Sequence, residues 1–190
     1  MKTVEELLAK QEITERILTY CRAIDRCDRA LLESVFHDDS MHDHGPYKGP
    51  SRQFCDFALE LLARLEYTTH QASNILIHMV DEGNALSETY FNAYHRIAAG
   101  VEEPAFPDHD LAQDEDVWIA GRYIDHFQRR GGEWKIAKRC GIHDWVRWAP
   151  ARDRGFSQSP ASERGQRFPE DRSYHLTIGE TQYALMQQDT

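Results

Sequence analysis

Residues 116–148 read DVWIAGRYIDHFQRR, then Gly131-Gly132, then EWKIAKRCGIHDWVRW, and this stretch decides the fold. Val, Ile, Trp, Tyr and Phe recur through both halves, and a Gly pair between two such runs is a hairpin signal. Two antiparallel strands, 116–130 and 133–148, are therefore expected. Working backwards, residues 85–98 (ALSETYFNAYHRIA) read as a strand with aromatic residues on both faces. Residues 67–80 are rich in Thr, Ile, Val and His, and Asp81-Glu82-Gly83-Asn84 is the turn that joins the two. An acidic, Pro-containing loop fills about 99–115.

Ahead of the strands the periodicity changes. Leu7, Leu8, Ile13, Ile17, Leu18, Cys21 and Ile24 recur at three- and four-residue spacing, the pattern of an amphipathic helix. A short second helix is expected over 28–36, burying Leu31, Leu32, Val35 and Phe36. His37-Asp38-Asp39-Ser40 breaks that pattern, and Gly45-Pro46 and Gly49-Pro50 mark turns on either side of Tyr47. A third helix is expected at about 51–65. Helices first and antiparallel strands afterwards give an α+β class, with helices packed on a curved sheet whose concave face makes a natural small-molecule site. The domain spans 1–148. Residues 149–190 are polar and carry Pro150, Pro160 and Pro169, and they read as an extended C-terminal tail over the pocket or a neighbouring subunit.

Composition narrows the function. With 41% hydrophobic and 28% charged residues, the chain can bury a core. A formal charge of −10 repels phosphate backbones, so nucleic acid is not an expected partner. No run reaches the roughly 20 apolar residues of a membrane span. The charged start MKTVEELL argues against a secretory signal, and Cys21, Cys27, Cys55 and Cys140 form no CxxC pair. Reduced thiols in a cytoplasmic protein are the expectation.

Asp25 is the informative residue. At about 100° per residue it lies within about 20° of Leu18 and about 40° of Cys21, on the apolar stripe of the first helix. A carboxylate facing a core needs a partner or a purpose. The bland alternatives are a helix terminator or a pair with Arg22 or Arg29. The candidate partner is His70, which shares a strand face with Ala72 and Asn74 by period 2. An imidazole bonded to a carboxylate is fixed in tautomer and serves as a base near neutral pH. His37, Asp38, Asp39, His42, Asp43 and His44 have the composition of metal ligands. If 40–44 is a strand, His42 and His44 share a face and Asp43 points away, so no third ligand is specified. No metal is therefore expected, and His44 and Tyr47 are expected to bind substrate.

The runs Tyr20-Cys-Arg-Ala-Ile-Asp25-Arg-Cys-Asp28, Phe36-His-Asp-Asp39, His44-Gly-Pro-Tyr-Lys-Gly-Pro50, Thr69-His70 with Asn74, Gly121-Arg-Tyr-Ile-Asp125 and Gly132-Glu-Trp-Lys-Ile-Ala-Lys-Arg139 together resemble the SnoaL-like (NTF2-like) family over roughly residues 5–147. They are most similar to the branch with scytalone dehydratase, γ-hexachlorocyclohexane dehydrochlorinase and bile-acid 7α-dehydratase. The resemblance implies a cone with a deep pocket, cofactor-free elimination, and a homodimer or homotrimer. It places Asp25 and His70 at the catalytic dyad and Arg139 at a pocket arginine that stabilises developing negative charge. Tyr20 matches a tyrosine of the bile-acid enzyme, and His95 matches, by spacing, a second histidine of scytalone dehydratase. Ile24 departs from the tyrosine that precedes the aspartate there, and the loop 99–115 and the tail have no counterpart.

The reading is a cofactor-independent lyase acting on a hydroxylated aromatic or polycyclic small molecule. Asp25, His70 and Arg139 are catalytic, and Tyr20, His44, Tyr47, Asn74 and His95 bind substrate. Carbon–carbon cleavage, such as loss of formaldehyde from a diol, and isomerisation use the same dyad and stay open. So does a non-catalytic role like that of the small subunit of ring-hydroxylating dioxygenases.

Overall fold

Thr3 opens the first helix, α1 (Val4–Arg26), by accepting a hydrogen bond from the Glu6 N–H on its side chain, and Cys27 closes it in the left-handed conformation at φ 52°. Asp28 then caps the short α2 (Arg29–Ser34) through the Leu31 N–H at 3.0 Å. The computed structural model describes residues 3–154, 156–178 and 181–183. The apolar stripe of α1 is narrower than its leucines suggest. Ile13, Ile17, Tyr20, Cys21 and Ile24 are buried, but Leu7, Leu8 and Leu18 are exposed, Leu18 by 47%. Asp25 is buried with the former set, one turn beyond Cys21.

The strands are β1 (Phe36–His44), β2 (Tyr47–Pro50), β3 (Tyr67–Met79), β4 (Asn84–Ile97), β5 (Glu115–Arg130) and β6 (Glu133–Pro150); α3 (Ser51–Ala63) follows β2. They form one open sheet in the order β2-β1-β6-β5-β4-β3, antiparallel except where β1 runs parallel to β6. This is the cone expected of an α+β NTF2-like chain, with the helices against the concave face. His37-Asp38-Asp39-Ser40 does not break the chain. It is the first half of β1, where Ser40 and His42 turn inward and Asp39 and Met41 outward. Two acidic residues in sequence look like a turn, but here both stay exposed within the strand, at the register shift between Phe36 and Met41.

Four irregularities set which residues face inward. The β1–β6 pairing shifts register between Phe36 and Met41, the β3–β4 pairing between Ser73 and Leu76, and the β5–β6 pairing at Ala120/Gly121 and at His126/Phe127. Across the last of these the inward positions of β6 pass from Trp134 and Ile136 to Arg139 and Gly141. A slip of one residue moves every following side chain to the other face.

The centre of the sheet holds a buried ion pair. Asp125 and Arg139 are register partners on β5 and β6, and Arg139 donates from Nε and Nη2 to the two carboxylate oxygens, each at 2.7 Å. Both side chains are fully buried. The guanidinium lies over the rings of Tyr20 and Tyr123, at 4.0 and 4.2 Å from their centroids.

After Pro150 the tail makes three short 3-10 turns and a small ribbon, Leu176–Ile178 with Thr181–Tyr183. It lies across the ends of α1 and α3 of its own chain, and none of its described residues lines the cavity beside Asp25. Arg167 donates to the carbonyls of Asp25 (2.5 Å) and Leu62 (3.1 Å), and Phe168 N–H to that of Arg26 (2.6 Å). These carbonyls belong to the last turns of two helices, where helical donors run out, so a tail cation and a tail N–H supplement them, the Leu62 carbonyl also accepting from the Leu65 N–H at 3.2 Å. No helix among the described residues is long and apolar enough to cross a membrane.

Truncating one member of a buried pair leaves the other charge without compensation, at about 3–5 kcal/mol. Arg139→Met is expected to lower urea-unfolding stability by that amount, with partial recovery in Arg139→Met/Asp125→Leu. A loss below about 1 kcal/mol would show that the pair does not hold the sheet centre.

Candidate active site

The last turn of α1 brings Asp25 against the start of β3, and His70 meets it twice. Its backbone N–H donates to Asp25 Oδ2 at 2.7 Å, and its Nδ1 lies 2.7 Å from Oδ1. A carboxylate can only accept, so the second bond puts a proton on Nδ1, and in the neutral ring Nε2 is then the nitrogen that holds the lone pair. Both side chains are 8% exposed.

His70 lines a cavity of about 130 Å³ between the helices and the concave face. Tyr20 and Ile24 come from α1, Phe54 and Leu61 from α3, and Phe91, His95 and Ile119 from the sheet. Gly45, Pro46 and His143 stand at its exposed rim. His95 lies next to the dyad, with ring centroids 5.3 Å apart, and its Nδ1 is 2.9 Å from the Thr68 hydroxyl. His44 faces His143 with 3.1 Å between their Nε2 atoms, so one donates and the other accepts. Gly141 makes room for this, since a Cβ there would lie 2.3 Å from His44 Cδ2.

The structure thus gathers Asp25, His70, Tyr20, His44 and His95 around one cavity. It does not bring in the other three. Arg139 stands behind Tyr20 and Tyr123 with its charge answered by Asp125, so its guanidinium does not reach the cavity. Tyr47 turns away, donates its hydroxyl to Pro50 O at 2.7 Å and stacks on Phe57. Asn74 is exposed at the β3 bulge with φ 47°, where the register shift takes it off the face of His70. His143 had no signal in the alternation of β6, because the bulge at His126/Phe127 reverses the phase before it. His42 is buried against Phe54, rings 3.5 Å apart, with neither nitrogen hydrogen-bonded. Among the described residues, no three His, Cys, Asp or Glu converge as metal ligands.

Burial decides the charge of the surrounding imidazoles. The His44 pKa is pushed down to about 3, first by burial and then by the charges of His143, Arg139 and His70. Burial followed by the charges of His70 and Arg167 holds His95 well below the usual histidine range. Burial also lowers His143, and His42 stands well below its ordinary value for the same leading reason. These rings are neutral at pH 7, and each carries one N–H for an uncharged hydrogen bond.

Such histidines bind protons more readily in the unfolded chain. Their contribution to stability is complete above the unfolded value of about 6.5 and is lost as pH falls below it, at about 1.4 kcal/mol per pH unit for each. Melting temperature measured from pH 7.5 down to 4.5 should therefore drop steeply below about 6.5. The drop should be shallower in His42→Phe, which removes one such group and keeps the stack on Phe54. Parallel curves for the two proteins would refute this origin of acid lability.

A family model described as a SnoaL-like domain matches residues 5–140. No curated protein matched the sequence. Among solved structures, a protein provisionally assigned as a scytalone dehydratase from Novosphingobium aromaticivorans DSM 12444 superposes with a TM-score of 0.62 at 22% identity, over 79% of this chain and 92% of that one. A type 2 hexachlorocyclohexane dehydrochlorinase (LinA) gives 0.64 at 20% identity, over 83% and 97%. The LinA-type3 enzyme from Novosphingobium barchaimii LL02 gives 0.61 at 18%, over 78% and 93%. At these identities the likeness speaks for the fold. With a family match over most of its length and the cone built from the predicted elements, the chain belongs to the SnoaL-like family.

Proposed function

We propose that the protein is a cofactor-independent lyase that removes water from a hydroxylated aromatic small molecule, with His70 as base and Asp25 as its orienting partner. The observation that carries this reading is the pair of 2.7 Å contacts from His70 to one carboxylate, at the wall of a cavity whose other histidines are neutral. His70 Nε2 takes a proton from a carbon beside a carbonyl or aromatic ring. Asp25 keeps Nδ1–H fixed and stabilises the imidazolium that forms. The hydroxyl on the neighbouring carbon then leaves with its bonding pair as the double bond forms. It collects the same proton from His70, so one C–H and one C–O bond are exchanged for a π bond and water. His95 and His44 offer neutral N–H groups to a carbonyl oxygen that gains charge on the way.

The cavity favours a small substrate. About 130 Å³ is close to the roughly 150 Å³ of an apolar cavity that holds benzene, so a single ring fits better than a polycycle. The remainder of a larger molecule would leave past Gly45 and His143. Arg139 acts at one remove in this scheme, by fixing the ring of Tyr20. The exposed Tyr90, Trp145 and Val146 of the sheet support a homo-oligomer as part of the same reading.

A panel of single-ring 3-hydroxy-1-aryl ketones, followed by the ultraviolet absorbance of the conjugated product, tests the reading. Turnover by the wild type and a loss of about 10²- to 10⁴-fold in kcat/KM in both His70→Gln and Asp25→Asn are expected. Substrate-site binding without turnover, and without solvent deuterium entering the α-carbon, would point to a non-catalytic ligand-binding module.

A further inference from the structure

A second cavity, of about 500 Å³, lies between the tail and the β3 side of the sheet. It is larger than the dyad cavity and has different chemistry. Arg26 comes to it from the end of α1, Tyr67 and Arg96 from the sheet, and Phe156, Arg164 and Arg167 from the tail. Four arginines around one hollow are unexpected in a chain of net charge −10.

Two of the four are neutralised. Arg96 is held by Asp116 at 2.6 Å and Asp153 at 2.9 Å, and Arg26 by Asp171 at 3.0 Å. The other two form no ion pair among the described residues. Arg167 gives its donors to the neutral carbonyls of Asp25 and Leu62, and the Nε of Arg164 is buried without any hydrogen-bond partner. Burial and the nearby charge of Arg26 both make Arg167 a less comfortable cation than one in water. Acidic groups also face the hollow. Asp153 is engaged by Arg96, and Glu66 stands exposed at the edge. Arg164 lines the open volume and its side chain has no acceptor among the described residues, so its guanidinium is completed by an anion there, and a carboxylate matches its planar fork.

The apolar part of the wall sets the rest of the ligand. The Tyr67 and Phe156 rings meet edge to face with centroids 5.4 Å apart, leaving ring surface beside the arginines. The volume lies within the roughly 300–1,000 Å³ of ordinary small-molecule sites.

We propose that this cavity is a binding site for a small aromatic carboxylate, with the carboxylate on Arg164 and Arg167 and the ring against Tyr67 and Phe156. The proposal does not rest on the reaction assigned to Asp25 and His70, and it needs no turnover to be tested.

Isothermal titration of the full chain with sodium benzoate at low ionic strength, with sodium chloride as the matched control, is the experiment. Saturable one-to-one binding at millimolar concentration or below is expected. It should weaken by about tenfold or more in Arg164→Gln, tighten in Glu66→Gln and stay unchanged in His70→Gln. Absence of saturable binding, or equal affinity in the wild type and both Arg164→Gln and Glu66→Gln, would overturn the site. Loss of binding in His70→Gln would place benzoate in the dyad cavity and overturn it as well. Inorganic phosphate binding as tightly as benzoate would overturn the aromatic part of the assignment.

Discussion

One carboxylate ties the helical layer of this protein to the edge of its sheet. Asp25 accepts from the backbone of His70 with one oxygen and from its ring with the other, so the last turn of α1 and the first half of β3 are fixed to each other by two short bonds. The backbone bond fixes the first half of β3 to the helix, and the ring bond sets which way the imidazole faces. Orientation of the base is thus a consequence of how the layers join. Charged hydrogen bonds of this kind are stronger than neutral ones, and the low exposure of both groups keeps water from competing.

Around that junction the protein keeps positive charge out of the cavity. Arg139, the large buried cation, is matched by Asp125 and covered by Tyr20 and Tyr123. His44 and His95 are kept neutral chiefly by burial. An Asp25 carboxylate near further free cations would divide its field among them. Here it acts on His70 alone among the cavity histidines. The cost is acid sensitivity, because imidazoles held neutral in the fold bind protons once it opens.

Much of this was legible in the sequence, because it follows from local pattern. The hairpin at Gly131-Gly132, the turn at Asp81–Asn84 and the three helices fall close to where periodicity puts them. The juxtaposition of Asp25 and His70 came from an acidic residue on an apolar stripe together with the family resemblance. What escaped was decided by register. Asn74 sits in one bulge and His143 beyond another, and no pattern of twos survives an inserted residue. The family resemblance put Arg139 in the pocket, and its register partner, Asp125, fourteen positions away, is revealed only by the β5–β6 pairing. Leu7, Leu8 and Leu18 extended the stripe of α1 on paper, yet the sheet covers only part of that face. The tail carries few apolar residues, so its docking through Arg167 and Phe168 onto helix carbonyls left no hydrophobic signature.

The account stands on the tautomer of His70. Long-range 15N–1H correlation spectra of the imidazole side chains at neutral pH measure it directly, with Asp25→Asn as the reference. The structure predicts a protonated, hydrogen-bonded Nδ1 and an unprotonated Nε2 in the wild type, with that pattern lost in the variant. A proton found on Nε2, or a His70 signal indifferent to Asp25→Asn, would contradict the dyad and the base chemistry built on it.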